Sequence, residues 1–171
     1  RVGALHEAAV LDVQASRLDV ESLAMSLVSQ VVNAWFNVLE QQGQLGLLKA
    51  QEKVSQDYLA LVEARFGQGE AAAVDVYQQR QSLSALQSRI PNTVSALELS
   101  RHQLAVLLGR MPQGAPIAQG ALPKTPPVPS AGVPSSLLAR RPDVRAARLR
   151  VLSADHRIGA AIADQFPSLR L

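Results

Sequence analysis

The chain has 171 residues, 47% of them apolar and only 4% aromatic, with no cysteine and a net charge of +3. Zero cysteines exclude disulfides and thiolate metal sites. The basicity is local: Arg140 to Arg157 carries six arginines against Asp143 and Asp155, a local +4, so the remainder sums to −1. No basic motif of a nucleic-acid binder accompanies it, and no nucleic-acid partner is expected.

Few aromatics and much Ala, Leu, Val, Gln and Ser suit slender helices packed side by side. From Val2 to Phe66 there is no proline, and Leu27, Val31, Ala34, Val38, Leu45, Leu48, Val54, Tyr58 and Leu61 return at helical spacing. This predicts one helix of about 65 residues, about 100 Å long at 1.5 Å per residue, which is coiled-coil or helical-barrel length. Gly43 and Gly46 are its weak place, where a packing need or a bend is expected, since each costs roughly 1 kcal/mol relative to Ala. No run of 18 uncharged apolar residues is read in the chain, so no helix is expected to span a bilayer. The start at Arg1 shows no export signal, and the missing Met suggests an internal piece of a longer protein.

The first helix should stop at Gly67-Gln68-Gly69, where glycine can take positive φ. Asp75 followed by Gln78 has the spacing of a capping-box variant, with Asp75 as the N-cap of a second helix. That helix runs along Leu83, Leu86, Ile90, Val94, Leu97, Leu104 and Leu108 to a stop at Gly109 and Pro112. Pro91 should bend it near Leu86 to Ile90, because it removes one ladder bond and crowds the carbonyl four residues back. Residues 1–112 thus read as a long helical hairpin with its tip at 66–75.

Prolines then crowd between Pro112 and Pro134, making 113–141 a Pro-rich linker; a flexible tether between independent modules is the bland alternative. A third helix should start at Pro142, with Asp143 on its positive end, and end near Gln165. Val144, Ala147, Val151, Ala154, Ile158 and Ala161 draw an apolar stripe expected to pack on another helix. Phe166 before Pro167 leaves the helical region, and Ser168 to Leu171 alternate like the start of a strand. Residues 142–171 therefore read as a helix leading into a strand. The fold class is all-α: a long antiparallel helical hairpin with a kinked return helix, a Pro-rich linker, and a third helix stacked in tandem with the second beside the first.

Catalytic chemistry is not legible. His6, His102 and His156 are far apart and in no ligand spacing, and Glu98 with His102 has the spacing of an exposed i,i+4 pair. No nucleophile elbow, P-loop or dinucleotide fingerprint occurs. Neither an enzyme, a metal site nor a cofactor is expected.

Three pieces carry a family resemblance: ARFGQGEAAAVDV at Ala64 to Val76, LAVLLGRMP at Leu104 to Pro112, and the RRPDV, IGAAIA and FPSL elements of the last 35 residues. Together they resemble the outer-membrane efflux protein family, the TolC-like trimeric exit ducts of Gram-negative bacteria, and within it the lipoprotein branch. The resemblance implies a periplasmic segment of a homotrimeric α-barrel, roughly the first structural repeat without its strands, with membrane contact only through β-barrel strands outside this chain. It implies an equatorial position for the Pro-rich linker and passive export of drugs or other small solutes. The partners it implies are a periplasmic membrane-fusion adaptor and an inner-membrane efflux pump. By matching positions, Arg65, Gly67, Gly69, Ala71 and Val74 would lie at the adaptor contact, and Asp75 would be a polar link of the closed tip. Gly69 to Ala73 lacks the branched apolar residue that the family often places after the glycine. The alternative from another class is a coiled-coil scaffold or adaptor with no channel role.

Overall fold

The computed structural model describes residues 1–112, 120, 122–128 and 134–166, without the side chains of 134 and 135. Among them are five helices: α1 Val2–Gly67, α2 Ala73–Gln87, α3 Arg89–Leu107, α4 Pro134–Arg140 and α5 Pro142–Ala163. The fold is all-α, as the sequence predicts. The chain divides into two compact units, Gln30–Thr125 and Arg1–Ser29 with Pro126–Leu171, and α1 contributes to both.

In the unit Gln30–Thr125, α1 pairs with α2 and α3. Val38, Leu39, Leu97 and Leu104 form the core, with Val31, Ala34, Trp35 and Leu45 packed around it. On the return arm Val76, Gln79, Leu83, Leu86, Ile90, Thr93, Leu97, Ser100, Leu104 and Leu107 are all buried or half-buried. Their spacing alternates three and four, the seven-residue repeat of a coiled-coil seam. On α1 the matching seam runs through Val38, Leu45, Leu48, Glu52, Ser55, Leu59 and Val62. Four residues of the expected α1 stripe leave it: Leu27, Val54, Tyr58 and Leu61 are exposed. Near the tip the seam is held by polar bonds that an apolar pattern does not register. Gln79 Nε2 donates to the Ser55 carbonyl at 3.2 Å and to its Oγ at 3.0 Å, and Gln87 Nε2 donates to Glu52 Oε1 at 2.9 Å.

The return arm breaks at Ser88, inside the expected interval. Pro91 has no N–H to give the Gln87 carbonyl, so α2 ends at Gln87 and α3 restarts at Arg89. The restart places Pro91 in the first turn of α3, where a backbone donor has no helical partner to lose. Gly43 and Gly46 neither stop α1 nor touch anything: a Cβ on either would meet no atom within 4 Å. The packing need expected of them has no counterpart within this unit.

In the unit Arg1–Ser29 with Pro126–Leu171, Ala15, Leu18 and Ala146 form the core, with Leu149 against them. Arg141 is extended (φ −66°, ψ 123°) because it precedes Pro142, which separates α4 from α5 and leaves Pro142 as the first residue of α5. The short helix α4 lies within the stretch read as a Pro-rich linker. Bonds along the α1–α5 seam repeat every seven residues: Arg157 Nη2 to Asp12 Oδ2 at 2.5 Å, Arg150 to Asp19, and between them the buried Ser153 Oγ donating to the Ala8 carbonyl at 3.1 Å.

One expectation for α5 finds no partner within this unit. The stripe Val144, Ala147, Val151, Ala154, Ile158, Ala161 does not face α1: Val144 is 38%, Val151 69% and Ile158 59% exposed. The packed seam is Pro142, Ala146, Leu149, Ser153, His156, Ala160 and Ala163. Small residues at Ala8, Ala15, Ala146 and Ala160 let the two backbones approach closely, so α5 turns its bulkier branched face outward. The helix ends at Ala163, with Asp164 as its cap, just short of Gln165. Phe166 is exposed, and the strand expected at Ser168 to Leu171 lies outside the described residues.

A second expectation also changes. By length and composition one stretch of α1 is apolar enough to cross a membrane. Its uncharged run from Ser22 to Leu39 nevertheless includes Ser22, Ser26, Ser29, Gln30, Asn33 and Asn37, and it ends in the buried pair Val38 and Leu39. Packing against α3 accounts for the apolar positions at that end of the run.

Candidate functional site

The tip of the hairpin is built from two backbone devices. α1 ends in a Schellman motif: the Gly69 N–H donates to the Phe66 carbonyl at 3.0 Å, and the Glu70 N–H donates to the Arg65 carbonyl at 2.9 Å. Gly69 makes the reversal at φ +79°, whereas Gly67 is the last helical residue and takes no positive φ. The two glycines therefore differ in kind.

The second device corrects the reading of Asp75 as an N-cap. The N-cap of α2 is Ala72, and Asp75 is the third helical residue, reaching back so that its Oδ2 accepts the Ala72 N–H at 3.0 Å. Ala72 has no side-chain acceptor, so only the returning half of a capping box can form, and Asp75 supplies it. Its charge also lies on the positive end of the α2 dipole.

The other singled-out residues fall around this turn. Arg65 is exposed on the last turn of α1 and has no acidic partner among the described residues, Ala71 is half-buried, and Val74 is 56% exposed on the first turn of α2. Arg65, Gly67, Gly69, Ala71, Val74 and Asp75 thus share one end of the hairpin. Just below it, Arg80 Nη2 pairs with Glu63 Oε1 at 2.7 Å and ties α2 to α1. The sequence reading missed that clamp and the Gln79–Ser55 bonds, because an apolar pattern does not register polar partners. Among the described residues no group of three or more His, Asp and Glu side chains could hold a metal ion.

Residues 1–110 match the family described as Outer membrane efflux protein. The chain belongs to that family. It is 33% identical to the pyoverdine export outer membrane protein OpmQ of Pseudomonas putida over 96% of its own length, and 32% identical to the toluene efflux pump outer membrane protein TtgF of the same species over 100%. It spans 35% of the first relative and 36% of the second. Among solved structures it superposes on the outer-membrane channel OprN with a TM-score of 0.88 and 27% identity, covering 97% of this chain and 38% of that one. It superposes on CusC with a TM-score of 0.87 and 26% identity, covering 97% and 39%. The relatives and neighbours are thus named as outer-membrane efflux proteins and channels.

Proposed function

We propose that the chain is a periplasmic segment of a trimeric outer-membrane efflux duct in a Gram-negative bacterium. The duct passively exports drugs or other small solutes and is coupled to an inner-membrane pump through a periplasmic adaptor. Its hairpin tip is the adaptor contact, with Arg65, Gly67, Gly69, Ala71 and Val74 presented there and Asp75 fixing the turn and serving the closed state. Residues 113–141 are the equatorial linker between the hairpin 1–112 and the segment 142–171, which leads back toward the membrane strands.

The observation that carries this reading, beside family membership, is that α5 has two seams. One, through Pro142, Ala146, Leu149, Ser153, His156 and Ala160, is filled by α1; the other, through Val144, Ala147, Val151, Ala154, Ile158 and Ala161, is bare. In a seven-residue repeat these seams lie about 155° apart measured through Arg150 and Arg157, and about 205° apart the other way. The first part of α1 has the same arrangement: Ala8, Ala15 and Leu18 are packed, while Val13, Val20 and Leu23 are 55%, 66% and 69% exposed. Its shorter arc passes through Asp12 and Asp19, the residues paired to Arg157 and Arg150. Both helices therefore deviate from 180° toward the same side, and a row of such helices curls into a ring of on the order of a dozen members. A scaffold hairpin needs one seam only; a barrel stave needs two.

The test is site-specific photocrosslinking in cells from Val74 of the full-length protein that carries this segment, with Asp57 as a control off the tip. The expected result is an adduct with an inner-membrane-anchored periplasmic protein from Val74 alone, together with loss of export in Val74→Asp. Unchanged export in Val74→Asp and equal adducts from both sites would overturn the tip assignment.

A further inference from the structure

The ion-pair ladder of the unit Arg1–Ser29 with Pro126–Leu171 has a place in the proposed duct that follows from the seam geometry. Arg150 and Arg157 lie at the middle of the shorter arc between the two seams of α5, and Asp12 and Asp19 lie at the middle of the shorter arc of α1. In any ring closed through both seams, the shorter arc is the concave side. The longer arc carries Arg145 and Arg148 on α5 and Glu21 on α1, which have no ionic partner among the described residues. On α1 a second seam of Val13 and Val20 with Val10 and Arg17 is excluded, because it would set the Arg17 guanidinium, which has no ionic partner among the described residues, into an apolar helix contact.

We infer that the Asp12–Arg157 and Asp19–Arg150 pairs line the water-filled lumen, while Arg145, Arg148 and Glu21 face the outside of the barrel. This rests on the duct reading and adds which side chains the exported solute passes. The lumen wall here is charged but compensated pair by pair, so this stretch imposes no sign preference and admits both anionic and neutral solutes. Its pairs are exposed to solvent, so their role is to present polar, mutually neutralised groups to water and not to supply much stability.

This chain contributes no cysteine, so once any thiols elsewhere in the full-length protein are replaced, single thiols can be placed without background. Ser26→Cys and Leu5→Cys sit on the same arc as the ladder; Glu21→Cys and Arg148→Cys sit on the opposite one. None of the four replaces a member of the ladder. In the purified full-length protein, the first two are expected to react with a small methanethiosulfonate and to refuse a polyethylene-glycol maleimide too large to enter the duct, and the second two to take both. Labelling of Ser26→Cys and Leu5→Cys by the large reagent, with refusal at Glu21→Cys and Arg148→Cys, would leave the duct standing and reverse the ladder's assignment. Equal labelling of all four by the large reagent would overturn the closed barrel itself, and the inference with it. A second readout is the reversal potential across a planar bilayer. The double change Asp12→Asn and Asp19→Asn leaves two uncompensated guanidiniums and should shift the channel toward anions, whereas Glu21→Gln should not. A shift with Glu21→Gln alone would refute the assignment.

Discussion

Gly67 and Gly69 sit two residues apart, yet substitution should push stability in opposite directions. Gly67 is helical and a Cβ there meets nothing within 4 Å, so Gly67→Ala should stabilise the chain by about 0.5–1 kcal/mol through helix propensity and a less flexible unfolded state. Gly69 has φ +79° and equally open surroundings, so the cost of Gly69→Ala is backbone strain alone, about 1–2 kcal/mol. The two variants should therefore differ by about 1.5–3 kcal/mol, the sum of those terms. Gly69→Asn should recover most of the loss, because Asn tolerates the left-handed region. Urea denaturation followed by circular dichroism reads the global difference, and hydrogen exchange of the Glu70 amide, bonded to the Arg65 carbonyl, reads the tip directly. Equal destabilisation by Gly67→Ala and Gly69→Ala, or no advantage of Asn over Ala at Gly69, would refute this account of the turn.

Other changes test the packing and the ends. Leu104 is 1% exposed in the core of the hairpin, and Leu104→Ala should cost about 2–5 kcal/mol in the same denaturation assay. Pro91→Ala gives residue 91 an N–H for the Gln87 carbonyl and should fuse α2 with α3, seen as new exchange protection at residue 91 and a gain of about 1 kcal/mol. Arg141 donates two hydrogen bonds to the Asp143 carboxylate, at 3.1 and 2.7 Å, and holds it below the ordinary carboxylate range. A group lowered in this way contributes above its unfolded pKa and loses that contribution as pH falls through its folded pKa. Fraying of the first turn of α5 should therefore appear only in acid, and Asp143→Asn should remove that pH dependence from the exchange of the α5 amides.

Much of the fold was legible because breakers and caps act locally. The extent of α1, the break before Pro91, the stop at Gly109 (φ +65°) and the start of α5 at Pro142 each follow from one residue's backbone chemistry. What was less legible is which face packs. α5 carries two apolar stripes, and the stripe with larger side chains, Val144, Val151 and Ile158, is the bare one. The filled stripe sets Ala146, Ser153 and Ala160 beside Leu149 and His156; the value of its small residues lies in close approach and a buried bond to the Ala8 carbonyl, and a search for bulk passes over them. Asp75 was misplaced by three positions for a related reason: an acidic residue at a helix start fits both the N-cap and the residue that reaches back to it, and only the backbone at Ala72 decides between them.

The imbalance between the two stripes has an energetic consequence. Beyond Leu18 and Leu149 the seam is mostly of alanine and serine, which remove little apolar area per contact, whereas full burial of a Val or Ile contributes about 1.5–3 kcal/mol each. Most of the apolar surface of α5 thus remains unspent until a further helix covers Val144, Val151 and Ile158, and the same holds for Val13, Val20 and Leu23 of α1. A helix pair of this composition is weakly held on its own and gains its apolar stabilisation on assembly. In the proposed ring, small residues inside the pair and branched residues between pairs would couple the order of this segment to ring closure.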